Sequence, residues 1–132
     1  MRDWEKKLCE DFPIFFGEKD LPMTQSLMCF GCECDKGWEP LIREVAEKAE
    51  EWNKANPDQP VTACQIKEKF AGLRIYTSGC PEVIYTVIQK MESLSYKTCE
   101  ECGSTEGKRK GDGWLYTRCD KCWEKMQSKK VK

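Results

Sequence analysis

Two pairs of cysteines near the C-terminus restrict the fold of this chain more than any other feature of its sequence. Cys99 and Cys102 form one CxxC pair, Cys119 and Cys122 form another, and sixteen residues separate the two pairs. Four thiols with this spacing are typical of a zinc site in which the protein fills every coordination position. The segment therefore predicts a tetrahedral cage that stabilises a fold and has no open position for activating water.

Disulfide bonding and redox chemistry are the alternatives to metal binding at these four thiols. The chain has ten cysteines, and its N-terminal segment MRDWEKKLCEDFPIFF carries acids where a secretory signal has an unbroken apolar stretch. We therefore expect the protein to stay in a reducing cytoplasm, where disulfides are rare. A dithiol enzyme has no use for a matched second CxxC pair, so the spacing favours one structural Zn²⁺ ion.

Three more cysteines, Cys29, Cys32 and Cys34, lie within six residues of one another. They form a second metal site only if a further thiol completes the set, namely Cys9, Cys64 or Cys80. CxC spacing also occurs in loops without metal, where cysteine packs as a small apolar side chain. Both interpretations stay open, and the sequence predicts one Zn²⁺ site with a second as an alternative.

Two segments, 39–54 and 82–95, have apolar residues at three- and four-residue steps, and this spacing predicts amphipathic helices. The stretch between them, VTACQIKEKFAGLRIYTSG, predicts two short strands that turn at 70–72. A weaker helical pattern covers residues 2–11 and ends before Pro13. The order of these elements predicts a fold of the α+β class.

The same pattern divides the chain into two predicted parts. Residues 1–97 are expected to form an α+β core, in which a small β-hairpin is packed by two or three helices. Residues 98–132 are expected to form a four-cysteine zinc-binding module with a treble-clef-like order of ligand turn, hairpin and final helix. These thirty-five residues bury too little apolar surface to fold alone, so a metal would substitute for a core.

Basic residues alternate with aromatic residues in two places, QIKEKFAGLRIY and the KRK that precedes Trp114. Such a mixture can hold a phosphate or a nucleobase. The alternative is a solvated strand face above core aromatics. The formal net charge of the chain is −1, so only a local patch could attract nucleic acid. The candidate binding residues are Trp38, Lys67, Lys69, Arg74, Tyr76 and Arg109.

Composition excludes several functions. The chain has no histidine, which rules out Ser/His and Cys/His catalysis and a His-ligated catalytic zinc. No paired carboxylates stand out as ligands of a catalytic metal, so we expect that the protein is not an enzyme. No apolar run approaches the roughly 18 residues of a transmembrane helix, and we expect no membrane partner.

Four stretches, CECDKGWEPLIRE, QIKEKFAGLRIYTSG, SYKTCEECG and GWLYTRCDKC, resemble in sequence and order a family of small, largely uncharacterised proteins of tailed phages and prophages. That family has the motifs ECGDGW, KEKFGGLRFY and a C-terminal TCExCG followed by GWxxTxCDxH. Cys122 stands where the family has histidine, an exchange that a zinc ligand tolerates. Ala71 stands where the family has glycine, and Asp35-Lys36 replaces its Gly-Asp.

The resemblance implies a phage setting and no established reaction. Together with the residues, it predicts a non-enzymatic, zinc-stabilised binding protein in the cytoplasm of the bacterial host. The expected partner is a host protein, bound in host takeover or anti-defence, for example a component of bacterial immunity that the phage protein inhibits. The alternative is a nucleic-acid or nucleotide-binding accessory protein that uses the basic and aromatic residues named above.

Overall fold

The computed structural model describes residues 1–130 as helices joined to short strands, which confirms the predicted α+β class. The helices are α1 Asp3–Asp11, α2 Glu39–Ala55, α3 Glu82–Ser95 and α4 Asp120–Lys130. The strands are β1 Cys32–Glu33, β2 Thr62–Lys69, β3 Gly72–Ser78, β4 Lys108–Lys110 and β5 Tyr116–Arg118. Residues 131–132, which belong to the predicted zinc module, lie outside the described part of the chain.

Helices α2 and α3 form where the apolar spacing predicts them. Pro40 occupies the first turn of α2, where a missing N–H leaves no intrahelical bond unmade. The buried stripe of α2 includes Ile42 and Val45, and that of α3 includes Ile84 and Ile88. The two helices pack against each other, and α3 also packs on β3. Within residues 1–130, no helix has an apolar stretch of the length that crossing a bilayer requires.

A three-stranded sheet with the order β1, β2, β3 lies beside these helices. β2 and β3 are antiparallel with Lys69 opposite Gly72, so Phe70 and Ala71 alone make the turn, and the predicted hairpin is confirmed. β1 pairs with β2 in parallel. Strand β1 has no recognisable signal in the sequence, because two residues are too few to show a periodic pattern. β3 is an edge strand of this sheet.

One hydrophobic core joins the N-terminal segment to the sheet and to α2 and α3. Leu8 of α1 and the following Phe15 and Phe16 are almost completely buried. Burying side chains of this size contributes roughly 2 kcal/mol each to stability. Trp38, just before α2, is also completely buried. The first 97 residues therefore have an apolar centre of their own.

The C-terminal module packs against this core along a line of polar contacts that we call the seam. The seam consists of Asp35, Gly37, Trp38 and Ala71 on the core side and Thr98, Glu100, Thr117 and Arg118 on the module side. The Gly37 N–H donates to the Glu100 carbonyl over 2.7 Å, and Trp38 Nε1 donates to the Thr98 carbonyl over 2.9 Å. A Cβ on Gly37 would lie 2.2 Å from the Cys99 carbonyl oxygen, so the two backbones meet where only glycine fits.

The second half of the seam uses side chains of β5. The Thr117 hydroxyl donates to the Ala71 carbonyl over 2.6 Å, and Arg118 pairs with Asp35 over 3.0 Å. Both β5 side chains are buried. Hydrogen bonds therefore cross the predicted boundary between residues 97 and 98, and they fix the module against the turn of the β2–β3 hairpin.

Candidate functional site

The four C-terminal cysteines, Cys99, Cys102, Cys119 and Cys122, converge on one point. Their Sγ atoms all lie within 4.8 Å of one another, and the Cys102 and Cys119 Sγ atoms are 3.8 Å apart. In a tetrahedron of four sulfurs with Zn–S bonds of about 2.3 Å, two sulfurs are about 3.8 Å apart. A disulfide needs about 2.05 Å, and all four thiols are free. The arrangement therefore fits one metal ion with four sulfur ligands.

Two local backbone features bring these thiols together. The chain turns after Cys102 at Gly103, whose φ of +82° is left-handed and suits glycine. The Gly103 N–H donates to the Cys99 carbonyl over 2.8 Å and closes this turn. Cys119 immediately precedes α4, and Cys122 lies in its first turn. Both residues therefore lie at the N-terminal end of α4, where the helix dipole is favourable for negatively charged groups.

The surroundings of Cys99 favour the charged form that binds metal. Its side chain is buried, and desolvation by itself would raise its pKa. Backbone hydrogen bonds from Cys102, Cys119 and Glu101 outweigh the desolvation and lower the pKa to about 7. The thiol can therefore give up its proton to a metal ion near neutral pH.

The module has no buried large apolar side chain among its described residues, 98–130. Its buried residues are Cys99, Glu100, Thr117, Arg118 and Cys122. Such a set supplies little hydrophobic stabilisation, so bonds from the thiolates to a metal would take the place of apolar burial. Four sulfur ligands also leave no open position for water or substrate, which is the arrangement of a structural site.

The predicted second metal site at Cys29, Cys32 and Cys34 does not form a ligand set. Within the described chain, the C-terminal cysteines are the one group of three or more ligand residues close enough to share an ion. Cys29 is exposed, whereas Cys32 and Cys34 are buried, and desolvation raises the pKa of these two thiols far above its ordinary value. The geometry favours the alternative, in which the buried thiols pack as small apolar side chains.

Two of the predicted binding residues are engaged inside the molecule. Trp38 is completely buried, and its indole N–H is bonded to Thr98, so it belongs to the seam and to no binding surface. Arg74 donates to Glu92 over 2.6 Å and to the Tyr96 hydroxyl over 3.1 Å. The Arg74 charge is therefore compensated by Glu92 of α3, and the guanidinium is also hydrogen-bonded to Tyr96, which directly follows α3. The sequence does not indicate these partners, because they lie 60 and 18 residues away in the chain.

Two other predicted residues, Lys67 and Lys69, lie in a cavity of about 230 Å³ with Phe70 and Trp114. We call this cavity the Phe70–Trp114 groove; it is also lined by Glu68, Gly113 and Leu115. Phe70 is 68% exposed and Trp114 is 70% exposed. In the described structure neither lysine has an ion-pair partner. The fold thus brings together two aromatic rings and two free cations from distant parts of the sequence.

Arg109 lies in β4 and is not among the residues that line this groove. It stands opposite Thr117 in the strand register, and opposite residues share one face of an antiparallel pair. The Thr117 hydroxyl reaches the turn of β2 and β3, so Arg109 is on the same side as that turn. Arg109 is exposed, and no ion pair of the described chain includes it. The neighbouring residues Lys108 and Lys110, in contrast, both form ion pairs with Asp120.

A second groove, of about 340 Å³, lies between the edge strand β3 and α3. We call it the tyrosine groove, because Tyr76 of β3 and Tyr85 of α3 line it and are 45% and 55% exposed. Cys80 and Ile88 line the same groove. Tyr76 was among the predicted binding residues. Tyr85 was missed, because helical periodicity identifies the buried stripe of α3 and says nothing about its exposed side.

Comparison of the chain with models of protein families, with curated proteins and with solved structures gives no match. The function is therefore inferred from the three sites described above: the four-cysteine cage, the Phe70–Trp114 groove and the tyrosine groove.

Proposed function

We propose that this chain is a non-enzymatic, zinc-stabilised binding protein, encoded by a phage, that acts on a host protein in the bacterial cytoplasm. The observation that carries the proposal is the tyrosine groove, which combines exposed aromatic side chains with the edge of a sheet. The phage setting rests on the sequence resemblance described above. That setting favours a role in host takeover or anti-defence, such as inhibition of a component of bacterial immunity.

The chemistry of the tyrosine groove suits a protein partner. An edge strand offers backbone N–H and C=O groups that an extended segment of another protein can pair with. Tyr76 and Tyr85 offer large contact areas with few rotatable bonds, and tyrosine is enriched among the residues that dominate binding energies. The Arg74–Glu92 ion pair lies in the same groove and offers a partner no free charge. These features favour hydrogen bonds and apolar contact over attraction to an anionic polymer.

The metal in this proposal is one structural Zn²⁺ ion held by the four cysteines of a treble clef. Thiolate ligands in a tetrahedron select zinc over harder cations such as Mg²⁺ or Ca²⁺. The ligand turn at Cys99 and Cys102, the β4–β5 hairpin and the helix that starts at Cys119 follow the order of that motif. Elemental analysis of protein purified without chelator should give one zinc ion per chain. Metal-free protein with a folded C-terminal module would contradict the assignment.

The partner is identified by affinity capture from host lysate and then titrated as an isolated protein. The double variant Y76S/Y85S is expected to bind it at least about tenfold more weakly, because it removes both exposed rings. Phe30→Ser is the matched control, since Phe30 is an aromatic residue outside the groove with 55% exposure. A captured protein that binds Y76S/Y85S as tightly as the unaltered chain would refute the proposed site, and so would the absence of any specific partner.

The alternative function, nucleic-acid or nucleotide binding, is favoured by a different surface. The Phe70–Trp114 groove has unpaired cations beside exposed rings. The two functions therefore use different residues, and variants of one groove leave the other intact.

A further inference from the structure

We infer that the Phe70–Trp114 groove binds single-stranded nucleic acid by stacking bases on its two exposed rings. This inference deepens the alternative function and is independent of a protein partner at the tyrosine groove. Four observations support it: the exposure of the two rings, the backbone conformation that presents one of them, the hydrogen bonds that fix that conformation, and the charge around the rings.

The turn that presents Phe70 has an unusual backbone. Phe70 has a φ of +52° and Ala71 a φ of +70°, both in the left-handed region that L-residues rarely adopt. A two-residue hairpin turn of this kind normally uses Asn-Gly. Here the first position instead carries a phenylalanine that is 68% exposed. A left-handed backbone at a residue other than glycine costs stability, and such positions are concentrated at functional sites.

The turn is also held in place from both sides. The Ala71 N–H donates to a Glu68 carboxylate oxygen over 2.8 Å, and the Ala71 carbonyl accepts the Thr117 hydroxyl over 2.6 Å. Thr117 belongs to the β4–β5 hairpin whose loop carries Trp114. The turn that carries Phe70 and the hairpin that carries Trp114 are therefore joined before a ligand arrives, which lowers the entropic cost of binding.

The charge around the rings is complementary to a phosphate backbone. Lys67 and Lys69 line the cavity and have no ion-pair partners in the described chain, and the one acid that lines it, Glu68, accepts a hydrogen bond from the Ala71 N–H. The Lys69 ammonium lies 5.7 Å from the centre of the Phe70 ring, a place where it can meet a phosphate next to a stacked base. The local charge is positive although the whole chain has a net charge of −1.

These features favour a single strand over the other anionic polymers. In a duplex the bases are stacked on each other and cannot reach Phe70 or Trp114, whereas an unpaired base has a free face. The carboxylates of an acidic protein segment would pair with the cations but would not stack on the rings as a nucleobase does. Few cations take part, so the salt dependence should be shallow, with a slope of about −1.4 for two neutralised phosphates.

Fluorescence anisotropy of the zinc-loaded, full-length chain with labelled oligonucleotides of about fifteen nucleotides tests the inference. The probes are single-stranded DNA and RNA of the same mixed sequence, and duplex DNA of that sequence. The single strands should bind with a Kd below about 100 µM at low salt, and the duplex at least about tenfold more weakly. The two single-stranded probes show which sugar the groove prefers. Equal binding of duplex and single strand, or no binding, would overturn the inference.

Three variants locate the binding. Phe70→Asn and Trp114→Ser should each weaken single-strand binding at least about fivefold, because each removes one stacking surface. K67Q/K69Q should weaken it and reduce the salt slope, whereas the matched charge control K54Q/K90Q, which changes two exposed lysines outside the groove, should not. If ring removal has no effect while K67Q/K69Q does, or if polyglutamate competes as well as the single strand, the groove is an acidic-partner site and the inference fails.

The same variants separate this inference from the proposed host-protein function. Loss of oligonucleotide binding in Phe70→Asn with unchanged capture of the protein partner supports two independent sites. Binding of the single strand by Y76S/Y85S as by the unaltered chain supports the groove assignment even where no protein partner is found. Loss of oligonucleotide binding in Y76S/Y85S would place the nucleic acid at the tyrosine groove and overturn it.

Discussion

The α+β core and the C-terminal module are stabilised by different interactions. The core, within residues 1–97, has one connected cluster of buried apolar side chains that reaches from Leu8 to Met91. The described part of the module, 98–130, buries two thiols, a threonine, a glutamate and an arginine. The first region is held by removal of apolar surface from water, the second by groups that can bind metal or form hydrogen bonds.

This difference shows where each region is vulnerable. A core of many packed side chains loses stability in steps as single residues are changed, because each contributes a share of the buried area. A module that depends on one ion fails as a whole when the ion is lost. The seam between them consists of polar contacts and one close backbone approach, so damage to the module reaches the Phe70 turn through Thr117 and the core through Trp38.

Among the changes considered, removal of the metal should produce the largest difference in stability between the module and the core. Chelation is expected to unfold residues 98–130 and leave α2 and α3 folded, because metal binding supplies about 10 kcal/mol to modules of this kind. Hydrogen exchange measures this directly, as loss of protection confined to the module. Cys119→Ser should reproduce the result, and Cys80→Ser, which changes an exposed free thiol, should not. Equal loss of protection in both regions would show that they form one folding unit.

Gly37→Ala should break the seam while leaving both regions folded. The added Cβ would lie 2.2 Å from the Cys99 carbonyl oxygen and 2.3 Å from that of Glu100, so the backbones must separate. We expect a loss of about 3 kcal/mol in the free energy of unfolding, measured by denaturant titration of the zinc-loaded protein. Gly113→Ala is the control, since a Cβ there meets nothing within 4 Å. A similar loss in both variants would contradict the close-approach explanation.

Thr117→Val tests the second half of the seam with almost no change of shape. It leaves the Ala71 carbonyl without its buried donor, and we expect a cost of about 1 to 2 kcal/mol. Single-strand binding should also weaken, because the Phe70 turn loses one of its two anchors. The matched control is Thr86→Val, which removes an exposed hydroxyl bonded to Glu82 within α3 and should cost less than about 0.5 kcal/mol. An equal loss of stability in Thr117→Val and Thr86→Val would contradict the role of Thr117 in the seam.

Phe70→Asn should change the free energy of unfolding least, and it should increase stability where the other changes decrease it. Asparagine tolerates the left-handed backbone better than phenylalanine, so the variant should be more stable by about 0.5 to 1 kcal/mol. Thermal unfolding of the zinc-loaded chain measures the gain. Phe30→Asn, at an exposed phenylalanine outside the left-handed region, should give none. A variant that is more stable and yet loses oligonucleotide binding would show that the turn gives up stability for its ligand.

Elements that have a repeating pattern could be predicted from the sequence. The helices over 39–54 and 82–95, the hairpin with its turn at 70–72 and the convergence of the paired cysteines all follow from spacing alone. Their signals are local, because a helix face, a strand pair or a CxxC turn is specified by residues close together in the chain. β1 had too few residues to give such a signal.

The sequence could not predict which exposed residues share a surface. A tryptophan before a helix is equally consistent with an interface and with a core, and Trp38 proved to be buried against Thr98. Arg74 was a candidate binding residue, and its partner Glu92 is placed beside it only by the packing of α3 on β3. The meeting of Phe70 with Trp114 depends in the same way on the seam. Contacts between elements are set by tertiary packing, and local pattern does not encode them.

The fit of Gly37 against the first pair of thiol ligands has a consequence for the order of assembly during translation. The receiving surface, with Gly37 and Trp38, lies some sixty residues upstream of the peptide that docks on it. A ribosome therefore completes the receiving surface long before the last two sulfur ligands emerge. The nascent chain can therefore fold the core first and bind the metal afterwards. A delay in metal supply would leave the core folded, with the surface at Gly37 and Trp38 not yet covered by the module.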